Sequence, residues 1–475
     1  MRASLTTLAL VYLDFVAAVS NALHSTRDED YGADDIITRD VCIVGGGSGG
    51  TYAATRLREL GQSVVIIEKE PIMGGHTNTY TVPSSGEKID YGVVVFHNTS
   101  IVRNYFAHYN VALGPAITDT ANTTVLADFR TGDVINFILP DPSAALVAWV
   151  TQLEKYPFLA TGINLPDPVP ADLLIPFKDF VQKYNLSDLV QTITELGQGY
   201  ADLLEQPTLY AMKLLSIDLV QTLESGFIAT AARDNHLIYD AATIEFTLAN
   251  SLLLSSHILS VQRNSNSNGI SKIVVKTPSG SKLIKAKKIV VAFPPIPSNF
   301  EGWDLDDQER DVFNTYKFEA YYTGLVTNTG LPLSTDVDNV GANTPFNIPA
   351  LPGMYGFDVT AQPGLIDVKY ASPFVQSDST VKSNIQSALG RLQIPGVTTT
   401  PGKLEWKAFQ AHVPFFDHVT AEDIQGGFYT RANALQGHRR VWYTGAAWES
   451  QDSSAIWSFT ESLLQNILQA ETDNV

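Results

Sequence analysis

Cysteine is almost absent from this chain, which carries a single thiol, Cys42, in 475 residues. That excludes an intramolecular disulfide framework, a cysteine-based zinc cluster and an iron–sulfur centre, each of which needs several thiolates. Positive charge is scarce as well: 31 Lys and Arg face 50 Asp and Glu, for a formal charge of -19. A surface that acidic repels phosphate backbones and anionic lipid, so neither nucleic acid nor a membrane surface is expected as a partner. Beyond the N-terminus, no segment approaches the ~20 uninterrupted apolar residues of a membrane span. His412 and His418 lack further ligands at metal spacing, so no metal site is expected.

Hydrophobic residues make up 44% of the chain, with 33 Gly and 24 Pro, a composition that can bury a sizeable core. The length is about three times the ~150 residues of a common domain, which predicts two domains or one interleaved pair. Met1-Arg2, an apolar run from Leu5 to Val19 and the small residues Ser20-Asn21-Ala22 have the order of a secretory signal over residues 1–22. Asp14 interrupts the run, and a short hydrophobic arm is the alternative reading. A secreted or secretory-lumen protein follows from the signal, with Asn98, Asn122 and Asn185 as possible glycan acceptors.

The chemistry declares itself after residue 36. Asp40-Val41-Cys42-Ile43-Val44 reads as a buried strand, and Thr51 to Leu60 has Ala and Leu at helical spacing. Val64 to Ile67 is a second strand, ending at Glu68 and followed by Lys69. Gly45, Gly47, Ser48 and Gly50 stand between the first strand and the helix, in one βαβ unit with the acid. The glycines serve different physical ends. Gly45 turns tightly, Gly47 lets backbone approach a pyrophosphate, and Gly50 lets helix and strand pack. The helix N-terminus favours the phosphate charge, and Glu68 can accept hydrogen bonds from a ribose diol. A dinucleotide site is expected.

Gly74-Gly75-His76-Thr77-Asn78-Thr79 follows Glu68 closely and resembles the Gly-Gly-Arg-x-x-Thr segment of flavin amine oxidases, with His76 in place of the arginine. Ile258 to Pro295 looks like the β-meander of that family, and Val441 to Gly445 followed by a helix over Ser454 to Ala470 looks like its closing strand, loop and helix. Together with the secretory start and Asp90-Tyr91-Gly92-Val93-Val94-Val95-Phe96, the set resembles the fungal β-cyclopiazonate dehydrogenase family of FAD enzymes.

The resemblance implies FAD as cofactor. It places Gly75 and His76 along the FAD, Gly92 and Val93 beside the isoalloxazine ring, and the Val261 backbone at adenine. It also places Gly445 at the ribityl phosphate and the helix start, with Ile456 and Trp457, at the flavin. Lys317 stands near the lysine that holds water at the flavin N5 in several such oxidases, although a solvated strand lysine is the stronger reading. His97 could shape the pocket, act as a base, or be an ordinary hydrogen-bonded loop histidine. A covalent flavin, if formed, would need histidine, His76 or His97, because Cys42 lies in the first strand.

The expected fold is α/β, α+β overall: a Rossmann-type FAD-binding domain (37–100, 240–300, 405–475) interleaved with a substrate domain of helices and antiparallel sheet (101–239, 301–404). The expected function is FAD-dependent removal of a hydride and a proton from a hydrophobic secondary metabolite, by dehydrogenation or oxidative cyclisation, with oxygen or another acceptor taking the electrons. A flavin-dependent double-bond isomerase, an amine oxidase and a non-redox FAD protein that only carries a ligand are the alternatives.

Overall fold

A computed structural model describes residues 25–117, 121–263, 269–394 and 402–469. The secretory-signal segment lies outside the described residues. Two sheets dominate. The first is built on β1 (Ile36–Val44), α1 (Ser48–Glu59) and β2 (Val64–Ile67). Its strand order is Leu252–Leu253, β2, β1, Gly280–Val291, Ser271–Thr277, His257–Gln262, and Val441–Tyr443 also pairs with Gly280–Val291. Pairings among the central strands are parallel, and the two meander pairs are antiparallel. Val41 to Val44 and Val64 to Ile67 are buried throughout, as continuous apolar runs in a covered parallel sheet must be.

The sequence suggests two strands between Ser281 and Val291, but the chain forms one. No Gly or Pro breaks it. Its first half bonds to the meander and its last three residues to Val441–Tyr443, so the whole length finds partners.

The second sheet has the order Glu405–His418, Lys317–Thr327, Ile366–Ser372, Gly353–Val359, Thr335–Asn339, Thr123–Ala127. It is antiparallel except for the last pair. Residues 405–418, grouped above with the cofactor segments, belong to this sheet: the strand pairs with Lys317–Thr327 from Thr327↔Glu405 to Lys317↔His418. Val326, Val337, Phe357 and Val368 from the sheet pack with Val381, Ile385 and Leu389 of the helix Asp378–Arg391 in a separate apolar cluster. The chain therefore contributes to the two sheets alternately, each being assembled from pieces distant in sequence.

The closing helix Ser453–Gln469 packs against α1. Trp457, fully buried, stacks on Tyr52 of α1 at 5.9 Å and on Phe96 at 5.4 Å. Tyr52 Oη donates to Glu461 at 2.8 Å, and Arg56 Nε pairs with the same carboxylate at 2.9 Å. These contacts seat the helix start beside the glycine turn of β1 and α1. Among the described residues no helix is long and apolar enough to cross a membrane.

Candidate active site

A cavity of about 1660 Å³ runs between the glycine turn and the second sheet. That exceeds the ~300–1,000 Å³ of a pocket for one small ligand, leaving room for an extended dinucleotide and a second molecule. At one end its wall is Gly45, Gly47, Ser48 and Gly49 with Glu68 and Lys69. The turn is shaped by its lack of side chains. Gly45 has φ +103°, and a Cβ there would lie 2.9 Å from the Ala292 carbonyl oxygen. A Cβ on Gly50 would lie 1.9 Å from the Gly45 carbonyl oxygen, so only glycine lets α1 start this close to β1.

Gly47 is the N-cap of α1, and no side chain caps the helix. The first-turn amides are thus left to an anion in the cavity, where the helix dipole favours negative charge. Gly75 (φ +56°) faces Gly47 backbone to backbone, with nothing but hydrogens between the two turns. Glu68 is buried and accepts from the Gly46 amide at 2.6 Å and the Glu70 amide at 2.8 Å. Both bonds hold its carboxylate at the cavity wall. This side-chain-free cradle, with an uncapped helix start and a fixed carboxylate at the β2 end, fits the pyrophosphate and ribose of FAD.

Further along, His76, Gly92, Val93, Gly445 and Ile456 also line the cavity. His76 packs against His412 with ring centroids 4.1 Å apart and planes tilted by 49°. Desolvation by the surrounding protein, with Lys69 adding to it, holds His76 down at about 4 even though its side chain opens to the cavity; burial, with His76 beside it, holds His412 well below the ordinary histidine value. Both imidazoles are neutral at neutral pH. Tyr321 and Phe415 continue this aromatic wall.

Four expected residues stand elsewhere. Lys317 opens its strand at an exposed position and is not part of the cavity wall. The lysine that the second sheet gives to the wall is Lys369, one strand over, paired with Asp367 at 2.9 Å. Alternation alone would put Lys317 and Tyr321 on one face, but the pairing with Glu405–His418 shifts register between Lys317 and Glu319 and again between Glu319 and Tyr321, and only Tyr321 reaches the wall. His97 is buried behind the wall, its Nε2 3.3 Å from Asp452 Oδ2. Burial pulls its pKa down, but the Asp452 charge and hydrogen bond and the Asp218 charge together raise it above the ordinary value. Asp452, not His97, reaches the cavity. Val261 is fully buried, and its amide donates to the Gly302 carbonyl; Ile258 lines the cavity from that strand. Trp457 also lies behind the wall, where Nε1 donates to the Ser48 carbonyl at 3.3 Å and braces the turn.

Sequence reading missed the wall supplied by the second sheet: Asp336 and Asp338, Asp358, Asp367 and Lys369, with Glu195 and Gln410. Burial first, then Glu195 and Asp336, push Asp338 up to about 7, and burial pushes Asp358 well above the carboxylate range. Burial opposes the Lys369 charge, but Asp367 and Asp358 outweigh it and raise its pKa. Asp417 was missed too; it lines the cavity beside the closing loop. Apart from strand alternation, no local signal marks these residues, because pairing of distant strands brings them together. Cys42 is fully buried in β1 with its thiol pushed up by burial, away from any flavin ring in this cavity.

Known proteins agree with this geometry. Residues 43–109 match the family model of an NAD(P)-binding Rossmann-like domain. The FAD-dependent oxidoreductase pigF of Monascus ruber is 38% identical over 97% of this chain and 98% of its own length. The β-cyclopiazonate dehydrogenase of Aspergillus oryzae is 33% identical, over 92% of this chain and 94% of its own. The chain belongs to this family of FAD-dependent oxidoreductases. Among solved structures, a fatty acid isomerase from P. acnes shares the fold with a TM-score of 0.71 at 16% identity, covering 90% of this chain and 98% of its own. Putrescine oxidase bound to putrescine shares it with a TM-score of 0.62 at 15% identity, covering 91% and 99%.

Proposed function

We propose that this family member uses FAD to remove a hydride and a proton from a small secondary metabolite, as a dehydrogenation or oxidative cyclisation. The single observation that carries the reading is the cradle of Gly45, Gly47, Gly50 and Gly75 with Glu68, opening into a cavity large enough for a second molecule. FAD supplies the two-electron redox chemistry when bound. In this reading the amides of Ser48 and Gly49 hold the pyrophosphate and Glu68 holds the ribose. Gly75, His76, Gly92, Val93, Gly445 and Ile456 line the path of the flavin.

The chain's own residues then position the substrate. Tyr321, Phe415 and the neutral His76–His412 pair offer an apolar, aromatic face. The carboxylates around Lys369 face a different part of the substrate, so the reading is of an apolar body bearing at least one polar group. Burial of the reacting centre excludes water and strengthens every dipole aimed at it. The apolar N-terminal run and the exposed Asn122 and Asn185 support passage through the secretory pathway with sugar on those two residues.

Anaerobic mixing of the yellow protein with metabolite extracts tests the reading. Lasting bleaching of the flavin with an oxidised product is the expected result. A protein that binds no FAD, or whose flavin never bleaches while the extract is transformed, overturns it.

A further inference from the structure

We propose that Lys369 is the substrate-anchoring residue of this site, donating a hydrogen bond to a carbonyl oxygen of the metabolite. The assignment rests on the FAD-dependent reading above. With a dinucleotide lying along the glycine cradle, the space that remains is the part closed by the second sheet. Among the described residues, Lys369 is the only Lys or Arg of that sheet on the cavity wall.

Its ammonium is fixed from behind. Lys369 stands on the strand Ile366–Ser372, with a side chain 16% exposed where it lines the cavity. Nζ lies 2.9 Å from Asp367 Oδ2 and 3.9 Å from Asp358 Oδ2. Asp358 comes from the neighbouring strand Gly353–Val359, directly opposite Asp367. An ammonium carries three N–H donors. Asp367 takes one, Asp358 lies beyond hydrogen-bond length, and no other acceptor meets Nζ among the described residues. The remaining donors are left for the contents of the cavity. Because the carboxylates already hold the side chain, little of its rotamer freedom is lost when a ligand binds.

The surroundings decide what kind of group fits. Other polar groups on this wall are already engaged. Tyr321 Oη donates to Gln198 Oε1 at 3.3 Å, Gln198 Nε2 donates to Glu195 Oε1 at 3.1 Å, and Asp336 accepts from the Val359 amide at 2.7 Å. Desolvation, with Glu195 and Asp336 adding to it, pushes Asp338 up to about 7, and desolvation pushes Asp358 well above the carboxylate range. A substrate carboxylate here would face Glu195 and Asp336, and a substrate ammonium would face Lys369. A neutral carbonyl avoids both conflicts and accepts a charge-assisted hydrogen bond.

Strand pairing sets the shape of the ligand. Lys369 pairs with Thr323, two residues along from Tyr321 on the adjacent strand. The aromatic face of Tyr321 and Phe415 and the ammonium are thus about one strand repeat apart, ~7 Å along the sheet. A flat apolar body resting on those rings can bring a ketone or aldehyde at its edge against Lys369.

The test uses the holoprotein and naphthalene probes, since the natural substrate is not needed. Anaerobic isothermal titration calorimetry compares β-acetylnaphthalene with β-ethylnaphthalene, which has the same shape and no oxygen. The wild type should bind the ketone about tenfold more tightly or better. In Lys369→Met that preference should fall below about twofold with flavin content unchanged. Lys369→Met combined with Asp367→Asn should behave alike, and guards against damage from a buried, unpaired Asp367. A preference that survives in both variants, no preference in the wild type, or tighter binding of β-naphthylmethylammonium than of the ketone overturns the assignment and leaves the FAD reading standing. Loss of flavin from both variants also overturns it, because Lys369 would then serve the cofactor site. A wild-type protein with no flavin overturns the FAD reading itself.

Discussion

Replacing Lys213 by Met probes how the closing loop is held. Lys213 is 3% exposed on the helix Thr208–Leu214, where Nζ donates to the Leu159 carbonyl at 2.8 Å and the Gly162 carbonyl at 3.0 Å. It also pairs with Glu449, equally buried, whose carboxylate accepts from the Gly162 amide. Three segments meet at this pair: the helix, the turn at Gly162 and the loop after Trp448. Methionine keeps the volume but leaves Glu449 buried without its cation, which costs about 3–5 kcal/mol. An unfolding entropy of ~2.1 cal/mol/K per residue over ~450 residues is ~0.9 kcal/mol/K, so the melting temperature should fall by ~3–5 °C.

The loss should depend on pH in a definite direction. Burial is the largest influence on Glu449 and raises its pKa, while Lys213 and the Gly162 amide work against the rise. Without Lys213 the folded-state pKa moves higher still. A carboxyl whose folded pKa exceeds its unfolded value loses stability as pH climbs between the two. The deficit of Lys213→Met should therefore be small near pH 4 and largest at pH 8. Adding Glu449→Leu should recover most of it, since no buried charge remains. Differential scanning calorimetry of the three proteins at both pH values is the assay. A Lys213→Met protein melting within ~1 °C of wild type at pH 8 would refute the claim that this pair carries an unscreened charge.

Gly50→Ala should lower flavin retention at least tenfold, because its Cβ would meet the Gly45 carbonyl oxygen at 1.9 Å and displace the cradle; the ratio of flavin to protein absorbance measures this. Glu68→Lys should abolish retention by removing the ribose acceptor, and full occupancy in that variant would sink the assignment. His97→Gln should cost stability mainly below pH 6.5, since a histidine raised by Asp452 stabilises the fold below its ordinary pKa and loses that advantage as pH rises through the folded value. Melting curves of both proteins from pH 5 to 8.5 should converge at the alkaline end. Intact-mass analysis of protein secreted by a host should find a chain starting just after Ala22, with sugar on Asn122 or Asn185 and none on Asn98, whose amide oxygen accepts from Arg103. Met1 still present in the secreted protein would end that expectation.

Much of the cofactor half was legible because its signals are local. Gly45 to Glu68 form one contiguous unit in which each glycine answers to a turn or a close approach nearby. The closing strand and helix were also visible, from Val441 to Tyr443 and the apolar spacing of Ile456, Phe459 and Leu463. The opposite wall was not. Lys317 and Lys369 are both strand lysines, and only the pairing of Thr323 with Lys369 across two strands shows which one meets the cavity. Asp417 gave no sign either, since a carboxylate between Phe416 and His418 reads as an ordinary strand residue. The β-meander was recognised, but its cavity contact moved from Val261 to Ile258 because the Val261 amide is spent on Gly302.

The alternation of the chain between its two sheets bears on how the protein comes into being. Val441–Tyr443 and the helix Ser453–Gln469 stand far downstream of β1 in the chain, yet they complete the first sheet and brace the glycine turn formed by residues 45–50. During synthesis β1, α1 and β2 emerge well before Leu252–Leu253, Gly280–Val291 and the helix Ser453–Gln469, so their apolar faces are covered only as those later segments arrive. Folding from the N-terminus piece by piece is not available to such a chain. Its mean contact spans long stretches of sequence, which slows folding and lengthens exposure of the unpaired strands. A truncation before Val441 should thus leave the upstream strands of the first sheet without their cover, and a frameshift there would remove the protein from the cell rather than merely its activity.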